Sequence, residues 1–200
     1  HFVDHSILVG DMLTNQIATP GRSTVVPNGV PCPHELPEFT PWCAPGVKRP
    51  LVLVELRRPD KAMSATLEQI ANTGALDGID YQIVGIGFDT PSDNPRVNNV
   101  GPMADPYPLL ASADVLCMGT VTETFGRTAY EAMAFGTLAI ATPIPAFTEV
   151  FTQNELRYFS SHDVGKCALE LRAFIDTLAG DPAGYMARRA ANHRLVRDNY

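Results

Sequence analysis

The chain has 200 residues, of which 45% are hydrophobic and 18% are charged, proportions typical of a globular protein with a substantial core. Fifteen Lys and Arg stand against 22 Asp and Glu, and the net charge of −7 argues against sequence-independent nucleic-acid binding, which depends on a basic surface. No apolar run approaches the ~18 residues of a membrane-spanning helix, and four scattered cysteines do not form a disulfide scaffold, so we predict a soluble, cytoplasmic protein with reduced thiols.

The first 50 residues differ in pattern from the rest of the chain. Short apolar runs predict strands at Ser6–Val9 and Ser23–Val26, with a weak helix at Asp11–Ala18 between them. Residues 31–50 are rich in proline and have no periodicity, which is typical of a linker or a long loop. We therefore assign residues 1–30 to the end of a preceding domain or to an interdomain segment, and residues 31–50 to a linker loop.

Strand and helix patterns alternate from residue 51 to the end. The predicted strands are Leu51–Glu55, Tyr81–Ile86, Val97–Val100, Val115–Met118, Leu138–Ala141 and Arg157–Ser160, and the predicted helices are Asp60–Ala71, Pro106–Ser112, Gly126–Phe135, Val164–Leu178 and Pro182–Asn199. A turn is expected after Leu138–Ala141. Apolar strands separated by helices indicate parallel pairing, so we predict an open, doubly wound α/β sheet. In such sheets ligands bind at the carboxyl ends of the strands.

One of these carboxyl ends carries an anion-binding pattern. After Val115–Met118, Gly126 and Arg127 stand at the start of the next predicted helix, where free backbone amides and the helix dipole favour a phosphate. Glu123 precedes this start and Glu131 follows it, so both carboxylates are able to face one ligand. An anion site beside carboxylates suits a phosphorylated sugar or nucleoside, although two solvated surface glutamates would give the same spacing.

A longer motif surrounds these glutamates in the segment SADVLCMGTVTETFGRTAYEAMAFGTLAIAT, Ser112–Thr142. An Ala-Asp pair precedes an apolar strand, and two glutamates eight positions apart enclose Phe-Gly and lead into Ala-Met and a later glycine. This segment resembles the donor-binding segment of the retaining glycosyltransferases of group 1 type, which have the GT-B fold. The matching positions are Asp114, Glu123, Phe125, Gly126, Glu131, Ala132, Met133 and Gly136.

Three further segments resemble the same family in the same order. They are VVPNGV (Val25–Val30), near the family's interdomain crossing, YQIVGIG (Tyr81–Gly87), a strand ending in Gly-x-Gly, and VNNVGPM (Val97–Met103), before the loop that contacts the base. The resemblance implies that residues 51–200 form the Rossmann-like nucleotide-sugar-binding domain, the C-terminal half of a GT-B glycosyltransferase. It runs from about residue 4 to residue 200.

The resemblance also implies roles for individual residues. Glu131 would bind the ribose hydroxyls, Glu123 the hydroxyls of the sugar, and the amides of Phe125 and Gly126 the diphosphate or sugar. The full expected donor-binding set is Glu123, Thr124, Phe125, Gly126, Arg127, Glu131, Gly85, Gly87, Val100 and Gly101. The implied reaction retains the anomeric configuration without a metal or cofactor, since the substrate is itself a UDP-, GDP- or ADP-sugar.

The cationic motif of the family is only partly present. The family has glycine, arginine, four residues and lysine after its first domain strand, and these cations neutralise the leaving diphosphate. Lys61 matches the lysine, but Leu56 stands where the arginine is expected and Glu55 where the glycine is. Arg57 or Arg58 would substitute if the loop is shifted, or else these arginines are surface charges. The expected catalytic residues are thus Lys61, Arg57, Arg58 and Glu123.

Two loops beside the motif also depart from the family. Gly119-Thr120 replaces the usual proline-serine before the first glutamate, and Pro143-Ile144-Pro145 replaces the usual glycines after Thr142. We therefore expect an unusual donor preference. Glu149 resembles a family glutamate in the second loop and is equally well interpreted as a neighbour of a helix N-cap.

Other polar clusters suggest weaker candidates. Cys32, His34 and Cys43 have no spacing typical of a zinc site and no evident fourth ligand, so we predict no metal. The histidines His1, His5, His162 and His193 are expected at the surface. The basic last helix, with Arg188, Arg189, Arg194 and Arg197, is a candidate for membrane contact, but a solvated face or packing on another domain is favoured.

The leading hypothesis is a hexosyltransferase-type enzyme that transfers a sugar from a nucleotide sugar to a glycan, lipid or small-molecule acceptor. The chain begins at His1 without methionine, and an acceptor-binding domain upstream is expected for such an enzyme, so the 200 residues alone would be catalytically incomplete. The alternative is a non-catalytic nucleotide-sugar-binding or regulatory module, which a genuine start at His1 would favour. An epimerase on the same fold fits less well, because further groups that it needs are not found.

Overall fold

The computed structural model describes residues 6–8, 23–25, 29–56, 65–123 and 125–200. The first two ranges form a small parallel sheet of β1 (Ser6–Leu8) and β2 (Ser23–Val25). Both predicted strands are therefore confirmed over these residues. The helix predicted at 11–18 lies outside the described residues.

The main sheet has six parallel strands in the order β5-β4-β3-β6-β7-β8. The strands are β3 (Leu51–Leu56), β4 (Tyr81–Ile86), β5 (Val97–Gly101), β6 (Val115–Met118), β7 (Leu138–Ala141) and β8 (Arg157–Tyr158). The helices are α1 (Leu67–Asn72), α2 (Tyr107–Ser112), α3 (Arg127–Ala134), α4 (Pro145–Thr148), α5 (Val164–Gly180) and α6 (Pro182–Asn199). The strand order reverses between β3 and β6, which confirms the predicted doubly wound sheet and places its crevice there.

Two apolar cores, one on each face of the sheet, explain the burial of its central strands. On one face Leu51 and Leu53 of β3 pack with α1 and α5, and on the other Val54 packs with α2, α3 and α4. Every residue of β6 and β7 is buried. Strands covered on both faces read as continuous apolar runs, which is why the sequence pattern predicted them well.

Two segments differ clearly from the prediction, while several other bounds shift by one or two residues. Helix α1 begins at Leu67 rather than at Asp60, because Thr66 has an extended backbone and forms a capping box with Gln69. The segment after β7, predicted as a turn, contains the one-turn helix α4, which begins at Pro145. Proline is favoured in a first helical turn because its fixed φ suits the helix and its missing N–H is not needed there.

Residues 29–50 contain no helix or strand and pack along the amino-terminal edge of the sheet. Phe39 and Trp42 lie against Tyr185 of α6, at ring-centroid distances of 6.1 and 5.8 Å. Arg49 forms an ion pair of 2.7 Å with the buried Asp114. The proline-rich segment is thus part of the domain surface, while its role as a linker between domains stays a prediction.

Two polar residues of α6 that were expected at the surface are buried. The Arg189 guanidinium lies 3.5 Å from the centroid of the Phe39 ring and is fully covered, and burial lowers its pKa. His193 is buried with Nδ1 2.7 Å from the Ala134 carbonyl oxygen. The expectation of a surface histidine at 193 and of a solvated arginine at 189 is therefore wrong, because segment 29–50 and α3 cover these positions. Arg194 and Arg197 are exposed, as expected.

No helix within the described residues is long and apolar enough to cross a membrane. Nor do those residues bring three or more His, Cys, Asp or Glu side chains together as a metal site. Cys32 instead approaches His193, with Sγ 3.9 Å from Nδ1.

We predict that Arg49→Met lowers the free energy of unfolding by about 2–4 kcal/mol, because it leaves the fully buried Asp114 carboxylate without its cation. The control is Arg197→Met, which removes an exposed pair with Asp198 and should cost about 0–1 kcal/mol. Urea unfolding at neutral pH measures both variants. Equal losses would contradict a structural role for the buried pair.

Candidate functional site

The loop after β6 begins in a fixed position at the carboxyl edge of the sheet. A Cβ at Gly119 would overlap the Ala65 carbonyl oxygen, so the chain passes directly against the segment before α1. The Thr142 amide donates to the Met118 carbonyl at 3.0 Å, and the Thr142 hydroxyl donates to the Thr120 carbonyl. These contacts hold the start of the loop between the end of β7 and the N-terminus of α1.

Gly126 sets the direction in which α3 leaves this loop. It is the N-cap of α3 and has a left-handed backbone with φ of 72°. A Cβ there would overlap the Phe147 ring, so any other residue is disfavoured both by conformation and by space. Gly126 has no side chain to cap this helix start, and the amides of a helix N-terminus favour an anion, so this start is a candidate anion site.

Phe125 contributes its backbone to this helix start and its side chain to the core. The ring is buried and stacks on Tyr130 with a centroid distance of 4.7 Å. Burial, followed by the hydrogen bond to Tyr200, raises the pKa of Tyr130, so its hydroxyl stays neutral near pH 7. The Phe125 ring therefore anchors the loop in the core, so any contact of the Phe-Gly pair with a ligand is made through its backbone amides.

Glu131 is an enclosed carboxylate at this edge. Only 8% of the residue is exposed, between α2 and α3. Arg127 Nε lies 2.8 Å from Glu131 Oε1, one turn away on the same helix. The Tyr107 hydroxyl donates to the same oxygen at 3.3 Å. The positive charge expected from Arg127 at the helix start is thus shared with Glu131.

Glu123, the other predicted carboxylate, lies in the loop before Gly126 and is partly exposed. It lies at the same carboxyl edge of the sheet as Glu131, and the prediction that both carboxylates face one ligand stays a prediction. Thr124 lies outside the described residues. The contact of Glu123 and Thr124 with a sugar stays a prediction.

The ends of β4 and β5 form the neighbouring part of the edge. The Gly87 amide donates to the Gly101 carbonyl at 2.7 Å, and the Gly101 amide donates to the Phe88 carbonyl at 3.1 Å. These two glycines therefore join the strand ends. Gly85 is buried within β4, where a Cβ would overlap the Asn99 side chain, so packing inside the domain accounts for that glycine.

Apolar side chains are exposed just beyond these glycines. Val100 is 39% exposed and Met103 is 40% exposed, although both are large and hydrophobic. Exposed apolar groups at a ligand-binding edge are suited to cover the flat face of a base. The prediction that places Val100 and Gly101 near the base is consistent with this position.

The predicted cations cannot be placed, since Arg57, Arg58 and Lys61 lie outside the described residues. The structure does account for Glu55, which replaces the glycine of the family. Its carboxylate is buried, and Oε2 accepts a hydrogen bond of 3.1 Å from the Leu67 amide. Glu55 therefore caps α1 from the central strand, while Leu56 packs against the core.

Glu149 is exposed at the C-terminal end of α4. The alternative interpretation of Glu149 as a neighbour of a helix N-cap is therefore wrong, because α4 precedes it.

Sequence reasoning also missed Tyr107, whose ring stacks on Phe135 at 4.9 Å and whose hydroxyl reaches Glu131. No spacing rule could have found it, since α2 and α3 meet only in the folded domain.

A groove of about 450 Å³ lies between α1 and the loop after β4. Its lining includes Glu68, Asp89 and Asp93. This excess of carboxylates makes the groove a poor site for a diphosphate, which requires donors and positive charge. The helix start at Gly126 is the better anion site.

A family model described as glycosyl transferases group 1 matches residues 51–176. The chain belongs to this family. The match begins at β3 and ends within α5, so it contains the whole carboxyl edge described above. A comparison with curated proteins finds no significant match.

Solved structures with the same fold include several glycosyltransferases. A glycosyltransferase from Rickettsia africae has 14% identity and a TM-score of 0.73, and the match covers 98% of this chain and 59% of the Rickettsia chain. Sucrose-phosphate synthase from Thermosynechococcus elongatus has 19% identity and a TM-score of 0.74, and the match covers 100% of this chain and 55% of the synthase chain. HepE from Anabaena, solved with UDP-glucose, has 17% identity and a TM-score of 0.72, and the match covers 100% of this chain and 60% of the HepE chain. This chain therefore has the Rossmann-like α/β fold of one part of these GT-B glycosyltransferases, and it spans less than two thirds of their length.

We predict that Gly126→Ala lowers the free energy of unfolding by about 2–4 kcal/mol, from left-handed strain and overlap with Phe147. The matched control is Gly180→Ala at the end of α5, where an added Cβ meets nothing within 4 Å. That control should change stability by at most about 1 kcal/mol. Urea unfolding compares the two, and similar effects would show that the Gly126 conformation is not required.

Proposed function

We propose that this chain binds a nucleotide-diphosphate sugar at the start of α3 and takes part in transferring the sugar to an acceptor with retention of configuration. The observation that carries the proposal is the pairing of the helix start at Gly126 with the enclosed carboxylate of Glu131, 8% exposed, one and a half turns further on. Backbone amides and the helix dipole stabilise a diphosphate, and a carboxylate accepts hydrogen bonds from two ribose hydroxyls.

The proposed arrangement places the parts of the donor along the carboxyl edge. The base would lie toward Val100 and Gly101 beyond Gly87, the ribose against Glu131, and the diphosphate against the amides of Phe125 and Gly126. Glu123 and Thr124 would accept and donate hydrogen bonds to the sugar hydroxyls. Structures of Anabaena HepE with UDP, with UDP and glucose, and with UDP-glucose support a donor of this class.

In the proposed transfer, the bond between the anomeric carbon and the diphosphate oxygen breaks, and a bond to an acceptor oxygen forms on the same face of the sugar. The O–H bond of the acceptor breaks in the same reaction, and its proton passes to the leaving diphosphate. Negative charge develops on the leaving nucleoside diphosphate. Amides at the start of α3 would stabilise that charge, together with Lys61 and with Arg57 or Arg58. We infer no metal in this step.

We further propose that the chain supplies the donor half of the enzyme. It spans 55% to 60% of the length of the three solved glycosyltransferases compared above, and the resemblance assigns the acceptor site to the other half.

A second candidate is a nucleotide-sugar-binding module without transferase activity. The specific observation that favours it is Glu55, which caps α1 from the position of the family's glycine, next to Leu56 at the position of its arginine.

We predict that Glu131→Ala weakens nucleotide binding about 10- to 150-fold, since loss of a charged acceptor for the ribose hydroxyls costs about 1.5–3 kcal/mol. Isothermal titration with UDP, GDP and ADP measures this loss after a thermal-shift panel selects the base. Glu149→Ala, an exposed carboxylate at the same edge, should leave the affinity unchanged. Equal affinities of both variants would show that Glu131 does not bind the ribose.

We predict that the 200-residue chain binds a nucleotide sugar but forms no glycosylated product by itself. Positioning an acceptor against the donor contributes about 7–11 kcal/mol to lowering the barrier, and the opposite wall of the cleft would provide that positioning. The assay incubates the chain with UDP-, GDP- and ADP-sugars and an acceptor mixture and follows nucleotide release and product. Slow donor hydrolysis is the most that we expect, and efficient transfer would overturn the proposal of a donor half.

A further inference from the structure

Tyr107 joins the two helices that enclose Glu131. It is the first residue of α2, and its ring stacks on Phe135 with a centroid distance of 4.9 Å and an interplanar angle of 7°. The Tyr107 hydroxyl donates to Glu131 Oε1 at 3.3 Å. A tyrosine has only two side-chain torsions, and the stack on Phe135 fixes both, so the hydroxyl is held at a defined place.

The contacts on the Glu131 carboxylate are unequal. Across the described part of the chain, both partners of the carboxylate, Tyr107 and Arg127, bind Oε1. The Arg127 side chain is 55% exposed and long, so it exchanges the carboxylate for solvent more readily than a ring that is stacked on Phe135. Tyr107 is therefore the more rigid of the two partners.

We propose that Tyr107 is a positioning residue for nucleotide binding, which orients Glu131 so that Oε2 is presented to the ribose hydroxyls. This inference rests on the proposed function, in which Glu131 binds the ribose. A carboxylate held in its binding orientation before the ligand arrives loses less conformational freedom on binding. Tyr107 does not touch the nucleotide itself, and its effect acts only through Glu131.

A purely structural role would have a different signature. If the hydroxyl serves only to hold α2 against α3, its removal lowers stability and affects every nucleotide alike. If it orients Glu131, its removal weakens only ligands that carry ribose hydroxyls. The comparison of a ribonucleotide with its 2′,3′-dideoxy counterpart therefore separates the two roles.

The test uses isothermal titration of the 200-residue chain with UDP, GDP and ADP, each beside its 2′,3′-dideoxy counterpart. Tyr107→Phe keeps the ring and its stack on Phe135 but removes the hydroxyl. We expect its affinity to fall about 3- to 10-fold for the ribonucleotide, the effect of losing one hydrogen bond. The affinity for the dideoxy nucleotide should change less than about twofold.

Tyr185→Phe is the matched control. It removes a hydroxyl that is 3.1 Å from Asp114 Oδ1 at the opposite edge of the sheet, so it tests whether a lost tyrosine hydroxyl acts through stability alone. It should bind both nucleotides like the unchanged chain. Thermal unfolding without ligand reports the stability of each variant.

Each outcome decides a separate point. An equal loss for both nucleotides in Tyr107→Phe, or no loss for either, overturns the positioning role. If the unchanged chain prefers the ribonucleotide and Glu131→Ala removes that preference while Tyr107→Phe keeps it, the proposed function stands and this inference fails. If the unchanged chain binds both nucleotides equally, or binds none, the ribose role of Glu131 fails and this inference fails with it.

Discussion

The buried carboxylate of Asp114 is the interaction on which the arrangement of this domain depends. It accepts two hydrogen bonds from Arg49, at 2.7 and 2.8 Å, and one from the Val52 amide of β3 at 2.8 Å. The Tyr185 hydroxyl of α6 lies 3.1 Å from its other oxygen. One fully buried charge thus ties the proline-rich segment, the central strand and the last helix to the residue that precedes β6. A buried carboxylate needs such partners, so these elements pack in one arrangement.

That arrangement at the amino-terminal edge fixes the geometry of the opposite edge. With β6 set beside β3, the loop after Met118 passes against Ala65 and reaches Gly126, whose left-handed backbone turns the chain over the Phe147 ring. Helix α3 then starts at the crevice and carries Glu131 toward α2. The candidate site therefore consists of backbone groups and one carboxylate that rigid elements hold in place, a form suited to a phosphorylated ligand.

Sequence reasoning predicted the sheet and the helix-start site because their signals are local. Apolar runs such as Val115–Met118 are buried on both faces, and Gly126 stands at a helix start where any other residue is disfavoured. The family motif then linked Glu123 and Glu131 to a nucleotide sugar. Reasoning from residue type failed at Arg189 and His193, because polar side chains ordinarily indicate a surface, and only the packing of residues 29–50 and α3 against α6 covers them.

The sequence by itself determined the alternation of strands and helices and the family, since each depends on neighbours a few positions apart. Tertiary structure alone decided which groups surround the candidate site residues. Tyr107 and Glu131 are 24 positions apart and meet because α2 packs on α3. Glu55 caps α1 because the folded domain places the end of β3 next to the Leu67 amide, which donates to the Glu55 carboxylate. Contacts between distant segments follow from how faces pack, and no local pattern records which faces will meet.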